Sequence, residues 1–234
     1  MGVNELEREQ AILDAAAELL LRLGYNKVTM GDVAENVALH RGLVYLRFRT
    51  KDELVEALVL RETNRYADRW QQHLEADALG GSVASVYRAM VRALRELPLA
   101  AAIVGRDETV FGKYLRKPGN VFERLRNPMG TQHFLDAMRE VGAVRDDIDT
   151  RAVAFVLDTL TPALRQTFPD ARAGDTERPS TEELVDALSD MLERSLNPSA
   201  GPDLAAGKRV LIESLTRIRG DFDASSNRSE GAAS

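Results

Sequence analysis

A chain of 234 residues with a formal net charge of −6 and no cysteine has room for one large core or two smaller ones, and excludes disulfides and thiolate metal sites. Its 44% hydrophobic and 29% charged residues describe a soluble protein: no apolar run nears the roughly 20 residues of a membrane span, and the polar, acidic start MGVNELEREQ does not resemble a secretory signal, so a cytoplasmic protein is expected. The acidic balance argues against coating nucleic acid with the whole surface, but not against a local basic patch, because phosphate contact acts within about a Debye length.

Nearly every segment has helical period, so the fold class is all-α. The first helix is expected over about 5–23, with Ile12, Ala16, Leu19 and Leu23 on one buried stripe and Gly24 as a left-handed stop. Thr29 opens a short second helix ending near Val37. Ala38, Leu39 and His40 form a turn, and a third helix follows from Arg41 to about Phe48. Val33, Val37, Val44 and Phe48 have the spacing to pack on helix one. A long fourth helix starts at Lys51 and holds its pattern to about Ala76, after which Gly80-Gly81 breaks the chain. Further helices are expected over 82–97, 99–105, 107–116, 120–126, 130–141, 150–168, 181–196 and 203–219, punctuated by Pro98, Pro118, Pro128 and the 169–179 stretch. Asn4-Glu7, Thr29-Asp32, Thr50-Glu53 and Ser180-Glu183 have the form of capping boxes.

The stretch from Thr29 to Leu54 carries the most chemistry. Between Glu35 and Asp52 it has no carboxylate, yet holds Arg41, Arg47, Arg49 and Lys51, with His40 beside them. A short basic helix behind a turn suits the major groove of DNA. Thr29 stands at a helix N-terminus, where amides and the dipole favour a phosphate as well as a cap. Lys51 also opens a helix, an unusual place for a cation unless an anion is nearby. Tyr45, one position from Val44, can offer its hydroxyl to a phosphate, and Gly42 lets the helix approach the backbone closely. Arg41, Leu43 and Arg47 are the candidates for base edges, the arginines for guanine or phosphate and the leucine for a thymine methyl.

The block REQAILDAAAELLLRLGYNKVTMGDVAENVALHRGLVYLRFRTKDEL, roughly residues 8–54, resembles the TetR family of transcriptional regulators. Ile12-Leu13, Ala15-Ala16 and Leu19 match its first-helix pattern, and Gly42, Tyr45, Phe48, Lys51 and Leu54 its G-x-x-Y-x-x-F-x-x-K-x-x-L core. Two positions depart from it. Ala38 replaces the usual turn glycine, at a cost if a left-handed conformation is required, and His40 replaces a small hydroxyl that commonly caps the third helix, which makes it a candidate for phosphate or base contact.

The resemblance implies a helix-turn-helix DNA-binding domain over 1–55 and a helical ligand-binding and dimerisation domain over 56–198; beyond these, pattern and composition give an additional helix over 199–220 and a disordered tail over 221–234. It further implies a homodimer on an inverted-repeat operator and release by a small, largely apolar inducer. Helices 150–168 and 181–196 would pair with their copies, using Val153, Val156, Leu157, Leu160 and Leu164 on the first and Leu184, Leu188, Met191 and Leu192 on the second. Trp70, Tyr87, Met90, Phe111, Tyr114, Phe122 and Phe134 are the apolar candidates for an inducer site. Asp158 is its polar candidate because it interrupts the run AVAFVLDTL, and Pro162 is expected to bend the same helix. His40, His73 and His133 are dispersed, and HExxH, GxSxG, P-loop and GxGxxG motifs are missing. No enzyme activity, cofactor or metal is therefore expected. A helical scaffold whose basic segment meets a protein partner is the competing reading, and a steep salt dependence of DNA affinity separates the two.

Overall fold

The computed structural model describes residues 3–78, 80–125, 130–165, 179–214 and 216, with side chains of 161–165 left aside. The architecture is all-helical. Helix α1 (Val3–Leu23) leads into α2 (Met30–Asn36) and α3 (Arg41–Arg47), and α4 (Lys51–Ala76) follows after three residues. Then come α5 (Val83–Glu96), α6 (Pro98–Gly105), α7 (Glu108–Phe111), a 3-10 turn (Gly112–Arg116), α8 (Val121–Arg124), α9 (Gly130–Glu140), α10 (Thr150–Arg165) and α11 (Thr181–Leu196). Residues 204–214 are also helical. The rest of the helix expected over 203–219, Pro128, the stretch before Pro179 and the tail over 221–234 lie outside the described residues.

The chain divides into two compact units. One contains the described residues of 1–65 and 97–126, the other those of 66–96 and 127–234. Helix α4 thus contributes to both. The core of the first unit joins Ile12, Ala16 and Leu19 of α1 to Val33, Val44, Phe48 and Leu58, and also to Phe111, Tyr114 and Phe122 from the later segment. Leu23, expected on the buried stripe, is exposed as the last residue of α1, while the nearby Leu20 and Tyr25 are buried. The second unit is built around Leu135, Met138, Leu157, Leu192 and Leu196, with a neighbouring cluster of Ala67, Leu74, Val86, Ala89 and Leu211. Helix α5 packs on α11 and α9 on α10.

Local signals explain most helix ends. Thr29 and Ser180 form complete capping boxes with Asp32 and Glu183. At Thr50 only half of the box is made: its hydroxyl accepts from Glu53 N–H at 3.1 Å, while the Glu53 carboxylate accepts from Arg49 N–H at 2.8 Å. Asn4 is inside a helix that already begins at Val3, so it does not open one. The helix expected over 99–105 begins one residue earlier, because proline is tolerated at the first helical position. The one expected over 107–116 is split by Gly112 at φ +46°, where a Cβ would meet Asn26 Nδ2 at 2.7 Å. Gly24 is the matching case: at φ +75° it ends α1, and a Cβ there would stand 2.4 Å from the Thr109 carbonyl oxygen. The turn between α1 and α2 therefore lies directly against α7. Tyr25 N–H donates to the Val110 carbonyl at 2.7 Å across this seam.

Candidate nucleic-acid interface

Helices α2 and α3 are held at fixed positions by the turn between them. Val37 N–H bonds back to Val33 and Leu39 N–H to Ala34. Ala38 adopts φ +52°, the left-handed conformation that glycine takes more cheaply. His40 then caps α3, its Nδ1 accepting from Gly42 N–H at 3.2 Å, so the imidazole does the work of the small hydroxyl usual there. Gly42 leaves room for this: a Cβ would stand 3.2 Å from that ring nitrogen, a tight contact from which the imidazole would have to shift by a few tenths of an ångström.

Val44 and Phe48 anchor α3 in the core, which turns the remaining side chains outward. Arg41, Gly42, Leu43, Tyr45 and Arg47 are all exposed. Leu46 is more exposed than any of the named apolar candidates, at 82%, and sequence reasoning did not single it out. Its signal was available, since it falls off the buried Val44–Phe48 stripe yet is apolar. The Arg41 guanidinium lies over Gly31, close enough that a Cβ there would meet it at 2.9 Å. Arg47 donates to Glu9 of α1 at 2.8 Å and stacks 5.0 Å from the Phe48 ring centre. Thr29 is exposed and accepts from Asp32 N–H, while its own N–H bonds the Asp32 carboxylate at 2.8 Å. Those Thr29 bonds, with the Arg41 and Lys51 charges behind them, hold the Asp32 carboxyl below its usual range.

Lys51 has a more specific place than a solvated cation. Its ammonium donates to the carbonyls of Tyr25 and Val28 at 2.7 and 2.8 Å and sits 4.1 Å from the Tyr25 ring centre. It staples the α1–α2 turn to the start of α4 and keeps one donor hydrogen beyond these two. Burial pushes its pKa down, and the nearby Lys113 adds to this. Next to it, Asp52 accepts from both Tyr25 Oη and Lys117 Nζ, and Lys117 also donates to Tyr25 Oη at 2.9 Å. The hydrogen bond to Asp52 raises Lys117 to about 12, and burial raises the Tyr25 phenol. Burial pushes Asp52 upward, but the bonds from Lys117 and Tyr25 outweigh it and leave the carboxyl below its usual value.

The eight inducer candidates are divided between the units. Phe111, Tyr114 and Phe122 form an aromatic cluster in the first, with Phe111 and Phe122 edge to face at 4.9 Å and Tyr25 and Tyr114 at 5.3 Å. They serve as core beneath the helix-turn-helix, because the segment 97–126 folds back onto it. Trp70, Tyr87, Met90 and Phe134 are in the second unit, where Trp70 Nε1 donates to the Val86 carbonyl at 3.2 Å and stacks on Tyr66. Asp158 is exposed and accepts from Thr131 Oγ1 at 2.5 Å.

An exposed basic helix, capped behind a fixed turn and anchored by two core residues, defines a helix-turn-helix protein of the DNA-binding class. Residues 12–58 match the family described as "Bacterial regulatory proteins, tetR family". The chain therefore carries the helix-turn-helix domain of the TetR family of DNA-binding transcriptional regulators over residues 12–58. Over 159 residues it is 21% identical to the "Probable acrEF/envCD operon repressor" of Escherichia coli (strain K12), spanning 65% of this chain and 72% of that protein. Among solved structures it is similar to FadR from Bacillus subtilis in complex with stearoyl-CoA, at TM-score 0.56 and 14% identity over 78% of this chain and 96% of that one. It is likewise similar to the TetR family protein CprB from S. coelicolor A3(2), at TM-score 0.51 and 21% identity over 90% and 96%. At such identities the likeness to these structures is one of fold. Among the described residues no helix is long and apolar enough to cross a membrane.

Proposed function

We propose that the protein is a homodimeric repressor that binds an inverted-repeat operator and is released by a small, largely apolar inducer. The observation that carries this reading is the outer face of α3, where Arg41, Leu43, Tyr45, Leu46 and Arg47 are exposed side by side above buried Val44 and Phe48. In this reading Arg41 and Arg47 read base edges, Leu43 and Leu46 meet thymine methyls, and Thr29, His40, Tyr45 and Lys51 hold phosphates, with Gly42 allowing close approach.

A seven-residue helix offers too few base contacts for specificity alone, so a twofold pair is required. Helices α10 and α11 supply the surface. Phe155 is 74% exposed and Met191 63%, and Val156 and Leu160 extend the same exposed apolar set. Side chains of that size left open to water favour a partner, and a second copy supplies a matching apolar surface at a closed twofold contact. Leu157 and Leu192, by contrast, are spent on the core of the unit.

The inducer would engage the second unit, where Trp70, Met90 and Phe134 are partly buried against its apolar clusters. Helix α4 contributes to both units. An inducer that shifts the population of its orientations would change the spacing of the paired α3 helices, and a coupling of about 1–3 kcal/mol would weaken DNA binding roughly 5–150-fold. Titrating DNA binding with long-chain acyl-CoA thioesters, chosen because FadR from Bacillus subtilis holds stearoyl-CoA, and with free fatty acids tests this arm. Operator affinity unchanged at ligand concentrations that shift the melting temperature would refute release by these ligands.

A further inference from the structure

The chain has five lysines, and four of them meet at one place: Lys27, Lys51, Lys113 and Lys117, with only Lys208 elsewhere. Their meeting point is the turn between α1 and α2, which itself carries Lys27. Lys51 Nζ bonds the Tyr25 and Val28 carbonyls of that turn. Lys117 Nζ bonds the Tyr25 hydroxyl. Lys113 N–H points at Asn26 Oδ1, 3.4 Å away, and the glycine before it allows the close approach. Two of the four are committed internally, Lys117 to Asp52 and Tyr25 and Lys51 to carbonyls. The other two, Lys27 and Lys113, are exposed, and among the described residues neither has an ion-pair partner. Most cations in this protein are otherwise arginines, and many pair with a carboxylate, as Arg61 does with Asp14 and Arg88 with Glu193.

Bringing four like charges around one turn raises the free energy of the fold unless an anion offsets it. The protein as a whole is acidic, so this is a local patch and not general basicity. It also crosses a boundary in the chain: Lys113 and Lys117 come from outside the stretch 12–58 that matches the DNA-binding family. We propose that the surface contacting the DNA backbone extends past the helix-turn-helix onto residues 112–117, with Lys113, beside Lys27, meeting a phosphate that flanks each half-site. The inference rests on the DNA-binding reading. It gives the segment 97–126 a direct part in affinity, because the residues that pack against the α1–α2 turn also carry a charge to the duplex.

The test is fluorescence anisotropy on a mixed-sequence duplex of about 30 base pairs, long enough to supply flanking phosphates on both sides. Wild type, Lys113→Ala, Lys113→Arg and Lys208→Ala are compared across a KCl series. For a dimer, Lys113→Ala should make the slope of log K against log[salt] shallower by about 1.8, two phosphates at roughly 0.9 each. It would then lose about tenfold less affinity than wild type between 50 and 200 mM salt. Lys113→Arg should restore the slope and Lys208→Ala should leave it unchanged; Lys113→Ala should melt at or slightly above wild type, since it removes one of the clustered charges, and Lys208→Ala, which gives up a bond to the Glu75 carbonyl, at or slightly below it. An unaltered slope in Lys113→Ala, with wild type binding normally, overturns the proposal. A wild type that shows no salt-dependent binding overturns the DNA-backbone reading as well.

Discussion

Helices α3 and α10 both expose large side chains, and the difference in what surrounds them separates two kinds of partner. On α3 the exposed Leu43, Tyr45 and Leu46 are interleaved with Arg41 and Arg47, and the helix has a buried side of only Val44 before Phe48. On α10 the exposed Phe155, Val156 and Leu160 share the helix with one exposed charge of each sign, Arg151 and Asp158, and Met191 of α11 lies between Asp190 and Arg194, which pair with each other. Cations placed among apolar side chains suit a polyanion with groove-borne methyl groups. Larger apolar side chains among charges that balance suit a like surface. Exposure alone would give both helices the same role; the charge pattern supports the two different ones proposed above, DNA for α3 and a second copy for α10.

Taking away the anchor of α3 should have the largest effect. Phe48→Ala removes a fully buried ring and is expected to cost about 3–5 kcal/mol in chemical denaturation, with DNA binding lost in proportion to unfolding. Charging the other surface should leave the fold intact and break the pair: Phe155→Glu with Met191→Glu is expected to weaken dimerisation by at least about 2 kcal/mol, roughly 30-fold. Light scattering reads the monomer directly, and a dimer that survives both changes would remove α10 and α11 from the interface. Arg41→Ala or Arg47→Ala should cost about 1–3 kcal/mol at one base pair and relax the preference there. Tyr45→Phe should instead weaken all sequences by a similar, smaller factor.

The cluster of Tyr25, Asp52 and Lys117 gives a pH dependence whose sign is fixed. Asp52 is held below its ordinary value of 3.8, so its contribution is present above that pH and is lost as acid carries the solution through the lower folded value. Lys117, raised from 10.5 to about 12, contributes fully below 10.5 and loses its share as pH rises toward 12. Tyr25, raised from 10.0, behaves in the same sense. Thermal melting of Lys117→Met should therefore show a lower plateau between these limits and a flatter alkaline limb. The difference should stay under about 1 kcal/mol, because the pair is partly solvated. Ala38→Gly is the smallest change in the set, a gain of about 1 kcal/mol or less in stability from relieving the left-handed turn. Wild-type stability or a loss would show that the turn carries no such cost.

Much of the local structure was legible because its causes are local. Thr29 and Ser180 announce their helices through the acid three residues on, Gly24 announces the end of α1, and the Val33, Val44 and Phe48 spacing announces the shared core. The role of Ala38 was legible too, as a turn residue that would be costly if left-handed, which it is. What could not be read depends on distant contacts. Nothing near Phe111, Tyr114 or Phe122 says that they fold under the helix-turn-helix and not with Trp70 and Phe134, since an aromatic residue on a short helix suits either core. Lys51 shows both sides of this. A cation at a helix start signals a nearby acceptor, but that its acceptors include two carbonyls of the α1–α2 turn follows only from the packing of the turn.

The most direct test of the central claim, that paired α3 helices read an operator, is selection of bound fragments from genomic DNA by the purified protein, repeated with Arg41→Ala. Wild type should recover an inverted repeat whose half-site centres stand about 34–36 Å apart or a multiple of that, and Arg41→Ala should recover the same repeat with one position relaxed. Fragments without a shared repeat, or an identical motif from both proteins, would contradict it.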